Sequence, residues 1–440
     1  MHLNRSDTLN RFSCLPLTAY GLRISYQVAF PDAGGNYRPD NCDTTENIQV
    51  KAGFPQGGLA FFFRKKRGEV CKLEKNLYFC TPDKLRNRKS WIMESVFAQR
   101  LINARKIRGF SQRDLCSRLE GKISSNAIAK YETGKMFPSS QNLIAIAEVL
   151  DFDVDYFFRP FTVNIDFNSF EFRKRSSLSS KKEAAIKESI ALSVEKYVEI
   201  ETITHDSPRF DLNYSDISIS SDNDARSLGA RFRLDLNLGI DCISTPIEVL
   251  ETNGVKVIEI DTDPKFDGSC VRNLGLPVIV LNKNLTSERR RLTLFHELAH
   301  LILAFEEGAD VERLCNVFAN EVLLPSVVLK SLLGEHRKNL SWKELKLIQE
   351  SFGISVEAIM VKAKQIGIIS ESTHRSLCID LNRNAELKRR VQESAYPKEV
   401  SSRFERLVFK ALADNMITIS KAASLLDRSV DEVNAQITLA

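Results

Sequence analysis

Apolar residues recur at helical spacing along most of this chain, and turn signals cut the pattern into separate helices. Phe97, Leu101, Ile102 and Arg105 open one run, which Gly109-Phe110 ends. Ser111 can cap a short second helix that begins Gln112-Arg113-Asp114-Leu115 and closes near Leu119-Glu120-Gly121. Ser124 caps a third, from Ser125 to Glu132, stopped by Thr133-Gly134. The polar stretch Arg173 to Ser180 then leads to a helix over about 181–201, with Ala185, Ile186, Ile190, Leu192, Val194, Tyr197 and Ile200 at helix-like spacing. That helix could join two domains or form a dimer seam. The polar segment from Asp206 to Asp224 reads as flexible surface. Farther on, Leu292, Leu294, Phe295, Leu298, Ala299, Leu301 and Ile302 make a run apolar on most sides, as in a helix buried inside a core. Gly308-Ala309 break it, and another helix starts near Asp310. The remainder reads as small helices broken at Gly353, then a helical hairpin over Phe404 to Ala413 and Ile419 to Leu426.

Composition narrows the class. At 440 residues, 43% hydrophobic and 27% charged, the chain can bury two or three cores. No apolar run approaches the length that spans a bilayer, and residues 1–30 carry no hydrophobic core of a secretory signal, so a cytoplasmic, non-membrane protein is expected. A formal charge of +5 allows a polyanionic partner without requiring one. Nine cysteines without a C-x-x-C pair fit neither a disulfide framework nor a zinc-thiolate site, and Cys315 reads as a small buried apolar residue.

Chemistry concentrates at His296-Glu297-Leu298-Ala299-His300, which uses two of the six histidines in the chain. Residues i and i+4 of a helix share a face, so the two imidazoles can bind one metal ion while Glu297 stands beside it as a general base toward a metal-bound water. Glu312, in the first turn of the next helix, is a third ligand delivered by a helix that returns beside the first. At these residues the chain resembles the ImmA/IrrE family of zinc metallopeptidases. The resemblance continues through Glu312-Arg313-Leu314-Cys315-Asn316-Val317-Phe318-Ala319 to Leu323-Leu324-Pro325, and upstream through Pro246-Ile247, Asn253-Gly254-Val255, Phe266-Asp267-Gly268 and Pro277 to Asn282. It implies zinc on His296, His300 and Glu312, Glu297 as base, and peptide-bond hydrolysis in a repressor-like protein. Asn316, one turn past Glu312, is expected to orient a ligand from behind. An extended substrate is expected to add to a sheet edge at the strand Pro277 to Asn282.

The small and polar residues Ser125, Asn126 and Ala127 suit a helix N-terminus entering a DNA major groove. The stretch resembles the XRE, or Cro-type, helix-turn-helix family in Arg108-Gly109-Phe110-Ser111-Gln112, Tyr131-Glu132-Thr133-Gly134-Lys135, Pro138-Ser139 and Leu143 to Ala147. The resemblance implies that Gln112 reaches a phosphate or base, that Ser125, Asn126, Ala127 and Lys130 face base edges, and that Lys135 touches the backbone. The turn before the third helix, Gly121-Lys122-Ile123-Ser124, is one residue longer than the family's usual one.

The expected architecture is multidomain. Residues 1–92 are a poorly ordered or non-native extension, with Met93 as a natural start, and their basic run Arg64-Lys65-Lys66-Arg67 is either solvated surface or an aid to DNA binding. An all-α helix-turn-helix head follows (93–160), then a linker with a connecting helix (161–224), an α+β zincin-like metallopeptidase domain (225–330) and a helical C-terminal module (331–440). The expected function is a DNA-binding regulator, homodimeric on a double-stranded operator, carrying a zinc endopeptidase. The alternative is a non-proteolytic transcription factor whose zinc domain senses a ligand or partner.

Overall fold

The computed structural model describes residues 17–19, 22–24, 48–53, 60–65, 82–161, 179–263, 266–273, 276–393 and 396–438. The chain divides into two units, Met1–Ile92 and Met93–Ala440. Most of the expected N-terminal extension lies outside the described residues. Within it, β1 (Leu17–Ala19) pairs with β2 (Leu22–Ile24), and β3 (Ile48–Gly53) with β4 (Ala60–Lys65), both antiparallel. Of the basic run, Arg64 and Lys65 end β4, while Lys66 and Arg67 lie outside the described residues.

Helix α1 (Pro82–Ile107) starts well before the point at which apolar periodicity becomes visible, because no glycine or proline interrupts the chain between Pro82 and Gly109. It is followed by α2 (Gln112–Arg118), α3 (Ser125–Glu132), α4 (Ser140–Leu150) and a 3-10 turn at Val154–Phe158. Ser111, Ser124 and Ser139 each turn a hydroxyl oxygen back onto a backbone N–H of the first turn, satisfying donors the helix itself leaves open. Phe97, Leu101, Leu115, Ile128, Ile146, Leu150 and Phe157 fill the core between them.

Helix α5 (Ser180–Thr204) spends its apolar residues within the chain. None of its apolar residues is exposed. Ile186, Ile190 and Val194 pack on the sheet described below, Tyr197 and Ile200 pack on the C-terminal helices, and Leu192 touches the helix-turn-helix core. A buried ion pair, Arg100 Nη1 to Glu195 Oε2 at 2.7 Å, ties α1 to its middle.

The segment expected to be flexible surface is instead structured. Tyr214–Ile219 forms β5, which pairs in parallel with β9 (Leu303–Phe305), and Asp222–Asp235 forms α6. After α7 (Pro246–Thr252) come β6 (Lys256–Ile260), β7 (Gly268–Asn273) and β8 (Leu276–Asn282), in the order β6-β8-β7. β8 runs parallel to β6 and antiparallel to β7. It is therefore the central strand, and the expectation that a substrate joins the sheet along Pro277 to Asn282 fails. Both of its hydrogen-bonding sides are taken, and the edges are β6 and β7.

Helix α8 (Ser287–Ile302) lies over this sheet, and α9 (Val311–Leu323) packs on α8 and α6, followed by α10 (Ser326–Leu333). Their core continues without a break into α11 (Trp342–Phe352), α12 (Val356–Gln365) and α13 (Glu371–Arg383), through Leu345, Ile359, Met360 and Leu377. Lys362 of α12 reaches Glu321 of α9 at 2.6 Å, both buried. After α14 (Ala385–Gln392), three helices, α15 (Arg403–Ala413), α16 (Ile419–Leu426) and α17 (Val430–Thr438), form a separate small core with Tyr197 and Ile200 of α5. Arg403 holds that unit in place through Glu201, at 2.6 Å, and Glu201 also takes the ammonium of Lys256 at 3.0 Å. Among the described residues no single helix is long and apolar enough to cross a membrane.

Candidate metal centre and helix-turn-helix face

Helix α8 is enclosed on nearly every side, with Leu294, Phe295, Leu298, Ala299 and Ile302 fully buried, which presses its two histidines into the interior. Their separation of one turn brings His296 Nε2 within 3.0 Å of His300 Nε2. The chain then leaves the helix through β9 and turns at Gly308, whose φ of +82° suits a residue without a Cβ. Asp310 caps α9 by accepting the N–H of Arg313, and this puts Glu312 in the first turn, facing back toward α8. Its carboxylate stands 3.4 Å from His300 Nε2 and 3.7 Å from His296 Nε2.

These three edges can be compared with what an ion requires. Bonds of about 2.0 Å at tetrahedral angles put donor atoms about 3.3 Å apart. The two Nε2 atoms are 3.0 Å apart, and the Glu312 carboxylate brings Oε1 to 3.4 Å from His300 and Oε2 to 3.7 Å from His296, separations of that size. The second nitrogen of His296 is also arranged for it: Nδ1 donates to the side-chain oxygen of Asn316 at 2.8 Å, which leaves the Nε2 lone pair directed at the cluster. Glu297 is buried beside the pair, on the side of α8 that faces β7. A Cβ at Gly268 would come 3.5 Å from its Cγ, 2.7 Å from Thr293 Cγ2 and 2.8 Å from the Val280 carbonyl. Glycine at 268 is what lets edge strand β7 lie this close to the helix.

In the head, Ser125, Asn126 and Lys130 stand exposed on α3, with Ala127 half-buried among them, and Lys135 is exposed just beyond the helix. Gln112 is half-buried at the start of α2. Its amide donates to Glu132 at 2.6 Å, on a carboxylate that Arg105 also grips through two nitrogens at 2.5 and 2.9 Å. Gln112 thus takes part in fixing α3 against α1 and α2. The long turn is absorbed by two successive left-handed residues, Glu120 at φ 53° and Gly121 at φ 75°, which keep Ile123 in the core.

Residues 98–159 match the family described as a helix-turn-helix domain. Residues 250–364 match the one described as an IrrE N-terminal-like domain, a family of metal-dependent peptidases. The chain is a fusion of these two domains. No curated protein matches it. The second match runs past 330 into α12, in keeping with the core that α11 and α12 share with α8 and α9.

One residue beside the histidine pair was read in the sequence as packing alone. Cys315 is fully buried, as expected of a small apolar side chain, but its Sγ lies within 4.8 Å of the donor nitrogens of both His296 and His300. Its place three residues after Glu312, on the same helical face, was the available signal.

Proposed function

We propose that this protein is a DNA-binding regulator whose second domain is a zinc-dependent endopeptidase. The reading rests on the convergence of His296, His300 and Glu312 from two helices, with Glu297 buried at their side. His296, His300 and Glu312 would hold the ion, with Asn316 keeping the His296 ring in the tautomer that binds it. Zinc at such a centre lowers the pKa of a water toward neutrality and polarises a carbonyl oxygen. Glu297 takes the proton of the attacking water and passes it to the leaving amine nitrogen, so that the peptide C–N bond breaks with the proton balance closed. An extended substrate adds along β7, the sheet edge next to Glu297, by main-chain hydrogen bonds. A repressor-like protein is the substrate that the ImmA/IrrE resemblance implies.

In the head, Ser125, Asn126, Ala127 and Lys130 face base edges in the major groove, Gln112 reaches a phosphate or base from α2, and Lys135 contacts the backbone. A single head reads few base pairs, so the functional form on a double-stranded operator is a homodimer. Such a target places the protein in the cytoplasm.

The test is elemental analysis of the full chain alongside two variants. About one zinc per chain is expected in the wild type, lost in His296→Ala and kept in Glu297→Gln. The Glu297→Gln protein should no longer cut a repressor-like substrate; cleavage at the wild-type rate would remove Glu297 from the mechanism. Absence of zinc from every form would leave a regulator whose second domain senses a ligand or partner without hydrolysing it.

A further inference from the structure

Helix α9 turns three polar positions toward the histidine pair, since 312, 315 and 316 recur at i, i+3 and i+4. Glu312 and Asn316 have roles in the reading above. Cys315 lies between them, wholly enclosed, with its sulfur within 4.8 Å of both imidazole donors. A thiolate is the softest donor available there, and zinc accepts sulfur as readily as imidazole nitrogen.

We propose that Cys315 is a thiolate donor to the ion at His296 and His300, giving the resting centre a fourth protein donor beside Glu312. The proposal rests on reading those three residues as metal donors. One sulfur–metal bond would form as the metal–water bond it replaces breaks, and the thiol proton would leave with that water; nothing is oxidised or reduced. Zinc centres with four protein donors are closed and structural, whereas hydrolytic ones keep a position open for water. Cys315 is placed to fill that fourth position.

Cobalt(II) replaces zinc and reports its donors by colour, so the proposal can be read without any substrate. The full chain is stripped of metal and reloaded with cobalt. The expected spectrum has visible ligand-field bands together with a sulfur-to-cobalt charge-transfer band in the near ultraviolet. Cys315→Ser and Cys315→Ala, both checked for native circular dichroism, should lose the ultraviolet band and keep the visible ones. Visible bands in the wild type without the ultraviolet band, or an ultraviolet band that survives in both variants, would overturn the proposal and leave the histidine centre standing. Failure of the wild type to take up cobalt, or uptake that persists in His296→Ala, would overturn the metal reading itself and the proposal with it.

Discussion

At the scale of single residues, the centre depends on side chains that touch no substrate. The side-chain oxygen of Asn316 accepts the Nδ1–H of His296, and that one hydrogen bond fixes both the ring orientation and the nitrogen left for metal. Replacing such a partner typically costs 10–100-fold in metal affinity. Asn316→Ala is accordingly expected to weaken zinc binding by about that factor while leaving far-ultraviolet circular dichroism unchanged, because residue 316 is exposed and packs in no core. Competition with a chromophoric chelator measures it, and an unchanged zinc affinity would show that the contact does not act on the ring. That His296 and His300 share a face was legible from spacing, since helix geometry puts i and i+4 together, whereas the approach of Glu312 depends on how the next helix returns. Cys315 was not legible, because a buried cysteine in a helix reads as packing unless the facing helix is known to carry the histidines.

At the scale of elements, what was legible followed capping chemistry and apolar period. Ser111, Ser124 and Ser139 announce α2, α3 and α4 because their hydroxyls serve the first turn. β5 escaped notice because only its two ends, Tyr214 and Ile219, are buried, so no alternation marks it. β8 was seen but misplaced. Its near-continuous apolar run is the mark of a strand buried on both faces. Pro277 argues for an edge, yet it opposes only Arg272 of β7, and the parallel pairing with β6 begins one residue later at Val278.

The junction of α9 with α12 belongs to the same scale. Burial lowers the Lys362 ammonium from its ordinary 10.5 to about 8, against the opposing pull of Glu321. Between those values the unfolded chain binds more protons than the folded one, so the contribution of Lys362 to stability rises with pH across that window and is at its least favourable below about 8. Removing the partner strands a buried charge, which costs about 3–5 kcal/mol. Without Glu321 to hold its proton, Lys362 becomes neutral below the wild-type value of about 8, so Glu321→Ala should unfold at much lower urea in acid and recover part of that loss, relative to wild type, as pH rises toward about 8. Adding Lys362→Met should abolish the recovery; a deficit independent of pH in the single variant would mean that the lysine is not the stranded charge.

At the scale of the whole described unit from Met93 onward, one helix supports three cores. α5 lays Ile186, Ile190 and Val194 on the sheet under the metal centre, gives Tyr197 and Ile200 to the C-terminal helices, and meets the helix-turn-helix core through Leu192. The sequence indicated this helix but not its use, because a helical period is the same whether the partner is a sheet, a helix bundle or a second copy of the chain. Ile190 is fully buried against the sheet. Ile190→Ala removes that contact at a cost of about 2–5 kcal/mol. If α5 is the common support, hydrogen exchange followed by mass spectrometry will speed up in β6, β8 and α15 as well as in α5, while α2 and α3 keep most of their protection through their own Arg105–Glu132 clamp. Faster exchange confined to α5 would show the opposite, that the sheet and the C-terminal helices hold without it and that the helix merely fills the space between them.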